Sequence, residues 1–232
     1  MILLDVRRGS GGQLWAQRAR PRAQGGQTVR RKAMGWSRTL LVLFVVASLP
    51  VVAGAATLEV VPSASEARYR VREQLAGVNF PSDAVGTTQS VSGTIALDRQ
   101  GRPAPGSKVT VDLRSLQSDA ARRDNYLRER TLTTARFPTV EFVPHEIRGL
   151  PFPLPGAGRA TVEILGDLTI RDVTRPTTWE GTVEFSGSTI RLQARTAFTF
   201  ADFALPQPRV MSVLSIEDHI RLEVDLTLRP AS

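Results

Sequence analysis

Apolar and polar residues alternate along much of this chain, most regularly towards its C-terminal end. Residues 189–200 (TIRLQARTAFTF) and 220–229 (IRLEVDLTLR) place apolar side chains on one face and mostly charged or hydroxyl side chains on the other. A period of two predicts β-strands with one buried and one wet face, which is typical of antiparallel sheets. With the shorter runs of the same kind, about eight or nine strands are predicted, several longer than roughly ten residues.

One segment interrupts this alternation. Residues 118–130 (SDAARRDNYLRER) are rich in helix-forming residues, which predicts one short helix inserted in an all-β chain. Ser118 or Asp119 can cap its N-terminus. The side chains predicted to form its buried stripe are Leu116, Ala120, Tyr126 and Leu127.

Long strands with one apolar face and no repeat predict a single antiparallel barrel or sandwich. An eight-stranded barrel is either filled by its own side chains or holds one small ligand. The inward positions mix large residues with small ones such as Gly166, Gly181 and Ala194, so the pattern leaves both arrangements open. If a ligand is held, the large inward side chains predicted to line its site are Tyr69, Val71, Phe142, Leu168, Trp179, Phe185, Phe198 and Phe200.

The positive charge of the chain is concentrated at its N-terminus. The formal net charge is +8, and residues 1–38 contain nine basic residues and one acidic residue, so the remainder is balanced. A nucleic-acid-binding protein carries its basic patch on the folded domain. No nucleic-acid partner is therefore predicted.

A short apolar run, residues 40–49 (LLVLFVVASL), follows the basic stretch and leads into Ala53-Gly54-Ala55. A basic region, a short apolar region and small residues in an Ala-x-Ala step are the parts of a secretory signal peptide. We therefore predict an N-terminal extension and signal peptide over residues 1–55 and an exported domain over residues 56–232. The expected location is periplasmic or secreted.

Three alternatives for this N-terminus stay open at the level of sequence. Translation can begin at Met34, which would leave a compact basic region before the apolar run. Arg30-Arg31 can belong to a twin-arginine export signal. An uncleaved membrane anchor is a third alternative, although the run is shorter than the about 20 apolar residues that span a bilayer.

The residue types of common catalytic and metal sites are scarce. The chain has no cysteine and two histidines, His145 and His219, which excludes thiolate zinc sites, iron–sulfur clusters and cysteine nucleophiles. The sequence also has no Gly-x-Ser-x-Gly elbow and no nucleotide-binding glycine loop. We therefore predict a binding protein without catalytic residues, metal or cofactor. The alternatives are a metal-assisted or other hydrolase that uses both histidines, and a structural or interaction module with a filled barrel.

Three stretches of the chain resemble the YceI-like family. Residues 123–127 (RDNYL) with 136–142 (RFPTVEF) are similar to its R-D-x-x-L … P-x-i-x-F signature. Residues 166–176 (GDLTIRDVTRP) are similar to its G-x-L-T-i-x-G-v-T-r-P segment, and residues 201–205 (ADFAL) to its D-F-G element. The order and spacing of these stretches fit along the predicted exported domain from about Leu58 to Leu228.

The resemblance implies an extended, eight-stranded, antiparallel lipocalin-like β-barrel with a helix near one opening. It also implies a periplasmic protein that holds a long apolar ligand, such as a polyisoprenoid or an isoprenoid quinone, without catalysis. We expect membrane contact only for ligand exchange or through an uncleaved signal, and a homodimer is compatible with the sequence. Family positions that often carry histidine, glycine or arginine differ here, so no head-group contact is transferred to Ala64, Glu73, Asp172, Phe200 or Ala204.

Overall fold

The computed structural model describes residues 54–209 and 213–231. The predicted signal peptide, the alternative start at Met34 and the apolar run at 40–49 lie outside these residues or at their very edge. The boundary after residue 55 stays a prediction, and the first strand begins at Ala56.

Eleven strand segments make up most of the described chain, and in them buried and exposed side chains largely alternate as the sequence predicts. The longest are β8, β9 and β11, with 14, 14 and 18 residues. The segments are β1 (Ala56–Val60), β2 (Glu66–Leu75), β3 (Ser82–Thr88), β4 (Val91–Leu97), β5 (Lys108–Asp112), β6 (Gln117–Ser118), β7 (Thr139–Arg148), β8 (Ala157–Ile170), β9 (Val173–Ser186), β10 (Thr189–Phe198) and β11 (Val213–Pro230).

These eleven segments form a closed barrel of eight strands. Three of the eight strands are bent, and each bent strand consists of two segments. β1 continues into β2, β3 into β4 and β5 into β6, and each of these pairs occupies one place in the barrel. Neighbouring strands are antiparallel, and they follow one another along the chain. β11 completes the barrel by pairing with β10 on one side and with β1 and β2 on the other. The predicted eight-stranded antiparallel barrel is confirmed.

A buried serine stabilises the bend between β1 and β2. Residues Pro62–Ala64 form a 3-10 turn that interrupts the strand there. Ser65 is 3% exposed, and its hydroxyl donates to the carbonyl of Val61 at 2.8 Å and accepts from the N–H of Thr227 at 3.0 Å. The turn removes a backbone hydrogen-bond partner from the strand ladder, and buried backbone groups need partners. The Ser65 hydroxyl supplies that partner to the N–H of Thr227. The first strand thus stays attached to β11 on both sides of the bend.

The two faces of the barrel wall differ sharply in polarity. On the outer face, β2 and β11 carry cross-strand ion pairs such as Arg68–Asp225 at 2.6 Å and Arg70–Glu223 at 3.3 Å. Partly exposed pairs of this kind contribute little to stability. The inner face is apolar and supplies a continuous core that includes Leu58, Val91, Leu97, Val162, Leu168, Ile170, Trp179, Phe185, Phe203, Leu226 and Leu228.

The predicted short helix is confirmed as α1 (Ala121–Tyr126), which continues into a π-helical turn, Leu127–Thr131. The predicted cap was wrong: Ala120 precedes the helix, and no side chain caps it. The hydroxyl of Ser118 is instead engaged with the carboxylate of Asp124, at 2.6 Å. No helix in the described part of the chain is long and apolar enough to cross a membrane.

The connections between strands collect at two ends of the barrel. At one end, which we call the mouth, lie the β2–β3 hairpin (76–81), α1 with its flanking residues (119–132) and the segment after β10 (199–209). At the other end, which we call the base, lie the β4–β5 loop (98–107) and the proline-rich β7–β8 loop (149–156).

Candidate functional site: an apolar cavity inside the barrel

A cavity of about 770 Å³ lies inside the barrel. This volume falls in the range of about 300–1,000 Å³ that is typical of small-molecule sites. Inward side chains from all eight barrel strands line it, so the alternative of a filled barrel is wrong. The side chains that the sequence predicted to line a ligand site all do so: Tyr69, Val71, Phe142, Leu168, Trp179, Phe185, Phe198 and Phe200. That they bind a ligand stays a prediction.

Aromatic side chains contribute to the cavity wall, and some of them contact a second aromatic ring. Trp179 is 5% exposed and lies halfway along β9. Its ring is tilted against that of Phe142, with 5.7 Å between the ring centroids. Phe198 packs edge-on against Phe203, with 4.7 Å between centroids. These contacts hold Trp179 and Phe198 against neighbouring rings.

The cavity reaches the surface at the mouth. Ala76 and Val78 of the β2–β3 hairpin line it and are exposed, Val78 to 46%. Sequence reasoning missed both residues, because a hairpin turn has no period from which an inward face can be recognised. The predicted apolar stripe of the helical segment also lines the cavity, namely Leu116, Ala120, Tyr126 and Leu127. The helix therefore forms part of the opening.

A buried ion pair attaches α1 to the barrel wall at the mouth. Glu73, near the end of β2, is 7% exposed and accepts a hydrogen bond from Arg123 Nη2 at 2.5 Å. The other end of the guanidinium contacts Asp119 and the hydroxyl of Ser118. Asp124 is also buried and accepts hydrogen bonds from the N–H and the hydroxyl of Ser118. Glu73, Arg123 and Asp119 are thus paired with one another, whereas Arg122, which also lines the cavity, makes no ion pair among the described residues.

Tyr69 lies just inside the mouth, below this polar group. Its ring lies against Gly86 on the neighbouring strand. A Cβ atom added at Gly86 would lie 2.8 Å from Cζ of the Tyr69 ring. Burial raises the pKa of Tyr69 to about 12, with Arg123 opposing the rise and Asp124 adding to it. A buried phenol in apolar surroundings stays neutral because the charged form loses its hydration. The Tyr69 hydroxyl is therefore uncharged, and it lies close to Gly86 on the barrel wall.

The proline-rich loop covers the base. Leu150 and Leu154 line the cavity, and Phe152 packs against the core. The ring of Phe152 lies over Gly101 of the β4–β5 loop. A Cβ atom added at Gly101 would lie 2.8 Å from the Cβ of Phe152. Gly101 has φ +77°, a conformation that glycine adopts without strain. The two loops thereby pack together beneath the cavity.

The two histidines lie outside the cavity lining. The side chain of His145 in β7 is 55% exposed, and its Nε2 lies 2.9 Å from Asp167 Oδ2. His219 in β11 is also exposed, and three strands separate β7 from β11. Within the described ranges, no group of three or more His, Cys, Asp or Glu could hold a metal ion. The structure does not bring together the histidines that the hydrolase alternative requires.

Comparison with known proteins identifies the family. The model of the YceI-like domain matches residues 58–228. A UPF0312 protein of Vibrio vulnificus (strain YJ016) is 27% identical over 183 residues, which span 72% of this chain and 93% of that protein.

Solved structures share the fold. A polyisoprenoid binding domain from Saccharophagus degradans, implicated in plant cell wall breakdown, superposes with a TM-score of 0.57 at 12% identity, covering 76% of this chain and 99% of that one. BcnA of Burkholderia cenocepacia superposes with a TM-score of 0.55 at 17% identity, covering 72% of this chain and 98% of that one. At these identities the likeness concerns the fold alone.

Proposed function

The chain belongs to the YceI-like family, and we propose from this and from its cavity that it holds a long apolar lipid inside the barrel. The ligand is of the isoprenoid type, either a polyisoprenoid or an isoprenoid quinone. The protein acts after export, in the periplasm or outside the cell, and carries out no catalysis.

The observation that carries this proposal is the cavity itself, about 770 Å³ of space surrounded almost entirely by apolar side chains. Removing apolar surface from water contributes about 25 cal/mol per Å² before the costs of binding are subtracted. A flexible hydrocarbon chain suits such a space because it needs few polar contacts. The related fold of a polyisoprenoid binding domain supports the same ligand class.

The arrangement of charged groups favours binding over catalysis. The buried carboxylate of Glu73 is paired with Arg123, and that of Asp124 accepts two hydrogen bonds from Ser118. A general acid or base must be able to reach the proton that it transfers. These carboxylates are occupied in attaching α1, which supports a structural role for them.

Export and membrane contact are part of the same proposal. The predicted signal peptide over residues 1–55 would deliver the barrel outside the cytoplasm, where membrane contact serves ligand exchange and a homodimer is compatible. N-terminal sequencing of the protein recovered from a periplasmic fraction tests export, and a mature chain that still begins at Met1 or Met34 would contradict cleavage.

A cavity-blocking variant tests lipid binding directly. Ala194 is 6% exposed and lines the cavity, whereas Ala197 on the same strand is exposed. The full chain, purified after expression with its own N-terminus, is analysed for co-purifying lipid by native mass spectrometry. We expect an apolar molecule in the unmodified protein and in Ala197→Phe, and much less of it in Ala194→Phe. A repeatedly empty unmodified protein would refute the proposal.

A further inference from the structure

The exposed apolar side chains of the barrel are concentrated at its mouth. Four large apolar side chains of the described residues are exposed, and the least exposed of them is Val143 in β7, at 37%. The other three lie at the mouth, namely Val78 at 46%, Leu214 at 67% and Phe80 at 77%. Single exposed apolar residues are ordinary, whereas a group of them marks a surface that contacts a protein or a membrane.

These three side chains belong to neighbouring elements. The β2–β3 hairpin carries Val78 and Phe80, and β11 begins at Val213, next to Leu214. Leu75, the last residue of β2 before the hairpin, is paired with Val213. The hairpin and the start of β11 therefore meet at one edge of the mouth. We call Val78, Phe80 and Leu214 together the rim patch.

The rim patch borders the entrance of the cavity. Val78 is exposed and also lines the cavity, and Val213 lines it beside Leu214. The hairpin residues 76–81 (AGVNFP) include no charged residue. Any partner that covers the patch therefore also faces the opening of the cavity. A lipid surface can cover the patch and still let an apolar ligand pass, whereas a protein seated there would obstruct the passage.

The charges beside the rim patch also suit a membrane. Three arginines of the helical segment make no ion pair among the described residues, namely Arg122, Arg128 and Arg130. The ion pair of Arg123 with Glu73 holds this segment beside the hairpin. Arginines at such a surface are attracted to anionic lipids. Glu129 in the same segment and Glu217 in β11 are exposed and oppose part of this charge, so the apolar contacts contribute more to binding than the charges do.

We propose that the rim patch docks the mouth of the barrel onto a lipid bilayer that contains anionic lipids. Phe80 and Leu214 enter the interfacial region of the bilayer, as apolar side chains of peripheral proteins do, and Arg122 contacts lipid phosphates. This inference rests on the proposed function, because it names the surface through which the protein exchanges lipid with a membrane. In the docked state the cavity opens towards the bilayer.

Vesicle binding measures this docking. The protein, recovered after expression with its own N-terminus, is pelleted with vesicles of phosphatidylcholine and phosphatidylglycerol in equal amounts, and with vesicles of phosphatidylcholine alone. Burying an exposed Phe or Leu side chain corresponds to about a tenfold change in affinity. We expect Phe80→Ser/Leu214→Ser to bind the mixed vesicles at least about tenfold more weakly. Val143→Ser, the matched control on the side wall, should bind as the unmodified protein does.

Arg122→Gln tests the contribution of charge. One arginine near an anionic bilayer corresponds to about a fivefold change in affinity. The variant should lose about this factor on the mixed vesicles and keep its affinity for phosphatidylcholine alone. The melting temperatures of all these variants should stay close to that of the unmodified protein, because the substituted side chains are exposed.

A label on the hairpin separates docking of the mouth from binding through the N-terminal apolar run. The chain has no cysteine, so Asn79→Cys and Val143→Cys can each be labelled at a single site with an environment-sensitive fluorophore. We expect the emission of the label at position 79 to shift to shorter wavelength with the mixed vesicles, and that of the label at position 143 to stay unchanged. Adding Phe80→Ser/Leu214→Ser should abolish the shift.

The outcomes are distinguishable. Equal vesicle binding by the unmodified protein and by Phe80→Ser/Leu214→Ser, or no shift of the label at position 79, overturns the docking surface. A dimer that dissociates in Phe80→Ser/Leu214→Ser, without vesicle binding, also overturns it and indicates a contact between two copies of the chain. Each of these results leaves the carrier function standing if lipid still co-purifies. Docking through the patch by a protein that is repeatedly empty would instead refute the carrier function and leave the docking surface standing.

Discussion

The ion pair between Arg123 and Glu73 gives a quantitative test of how α1 is attached at the mouth. We consider the substitution Arg123→Met, which keeps a long apolar stem and removes the guanidinium. Glu73 is 7% exposed in the structure, and Arg123 Nη2 is its hydrogen-bonding partner at 2.5 Å. The variant would therefore leave a carboxylate buried at the edge of the cavity without its counter-charge.

The magnitude follows from the burial of the two partners. Removing one partner of a buried ion pair costs about 3–5 kcal/mol. The Arg123 side chain is 21% exposed, so water can partly replace it, and we expect a loss of about 2–3 kcal/mol. For a domain of this size about 2–4 °C of melting temperature corresponds to each kcal/mol, which predicts a decrease of roughly 5–10 °C.

Thermal unfolding followed by circular dichroism measures this decrease, and the chain offers a matched control. Arg122 precedes Arg123 on the same helix and is exposed, and no ion pair involves it among the described residues. Arg122→Met should change the melting temperature by less than about 2 °C. The double variant Glu73→Met/Arg123→Met should recover much of the stability, since no buried charge remains. Equal melting temperatures for the two single arginine variants would refute the role of the pair.

Two further predictions concern the barrel wall, namely the pKa of Tyr69 and the close packing at Gly166. The chain has two tyrosines, so in Tyr126→Phe the tyrosinate absorbance reports Tyr69 alone and should rise only near pH 12. Because this pKa lies above the ordinary value of 10.0, the stability that Tyr69 contributes is complete below pH 10 and is lost as the pH rises through 12; a transition near pH 10 would disprove its burial. Gly166→Ala should lower the free energy of unfolding in urea by about 1–3 kcal/mol, because its Cβ would lie 2.8 Å from the Cα of Pro144. Gly156→Ala, with no neighbouring atom within 4 Å, should be neutral, and equal losses in both variants would contradict the steric reasoning.

The barrel and most of its inner face could be predicted from the sequence, because both follow from the two-residue period. Once a strand such as β9 is recognised, the inward positions of Trp179 and Phe185 are determined by counting. The eight predicted lining residues were found this way, and each lies on the cavity wall. What alternation could not decide was whether the wall encloses space, because that depends on how strands distant in sequence approach one another.

The two ends of the barrel were much less predictable. Glu73 and Arg123 are 50 residues apart, and no local pattern shows that they form a pair. The helix cap was assigned to Ser118 or Asp119 from local preference, but a tertiary contact uses Ser118 to bind Asp124. Leu150 and Leu154 lie in a proline-rich loop without a period, so their place in the lining could not be recognised.

The way β11 completes the barrel has a consequence for when a lipid can be taken up. This strand, the last in the chain, supplies the partners of β10 and of the bent first strand. Its contacts with the first strand join segments that are far apart in sequence, and such contacts form slowly because the long intervening chain must be ordered first. Until they form, there is no enclosed interior but only a curved sheet with two unpaired edges and an oily inner surface facing water. For the proposed lipid carrier, loading would therefore follow closure of the barrel, because an incompletely folded chain has no enclosed interior that could hold a ligand.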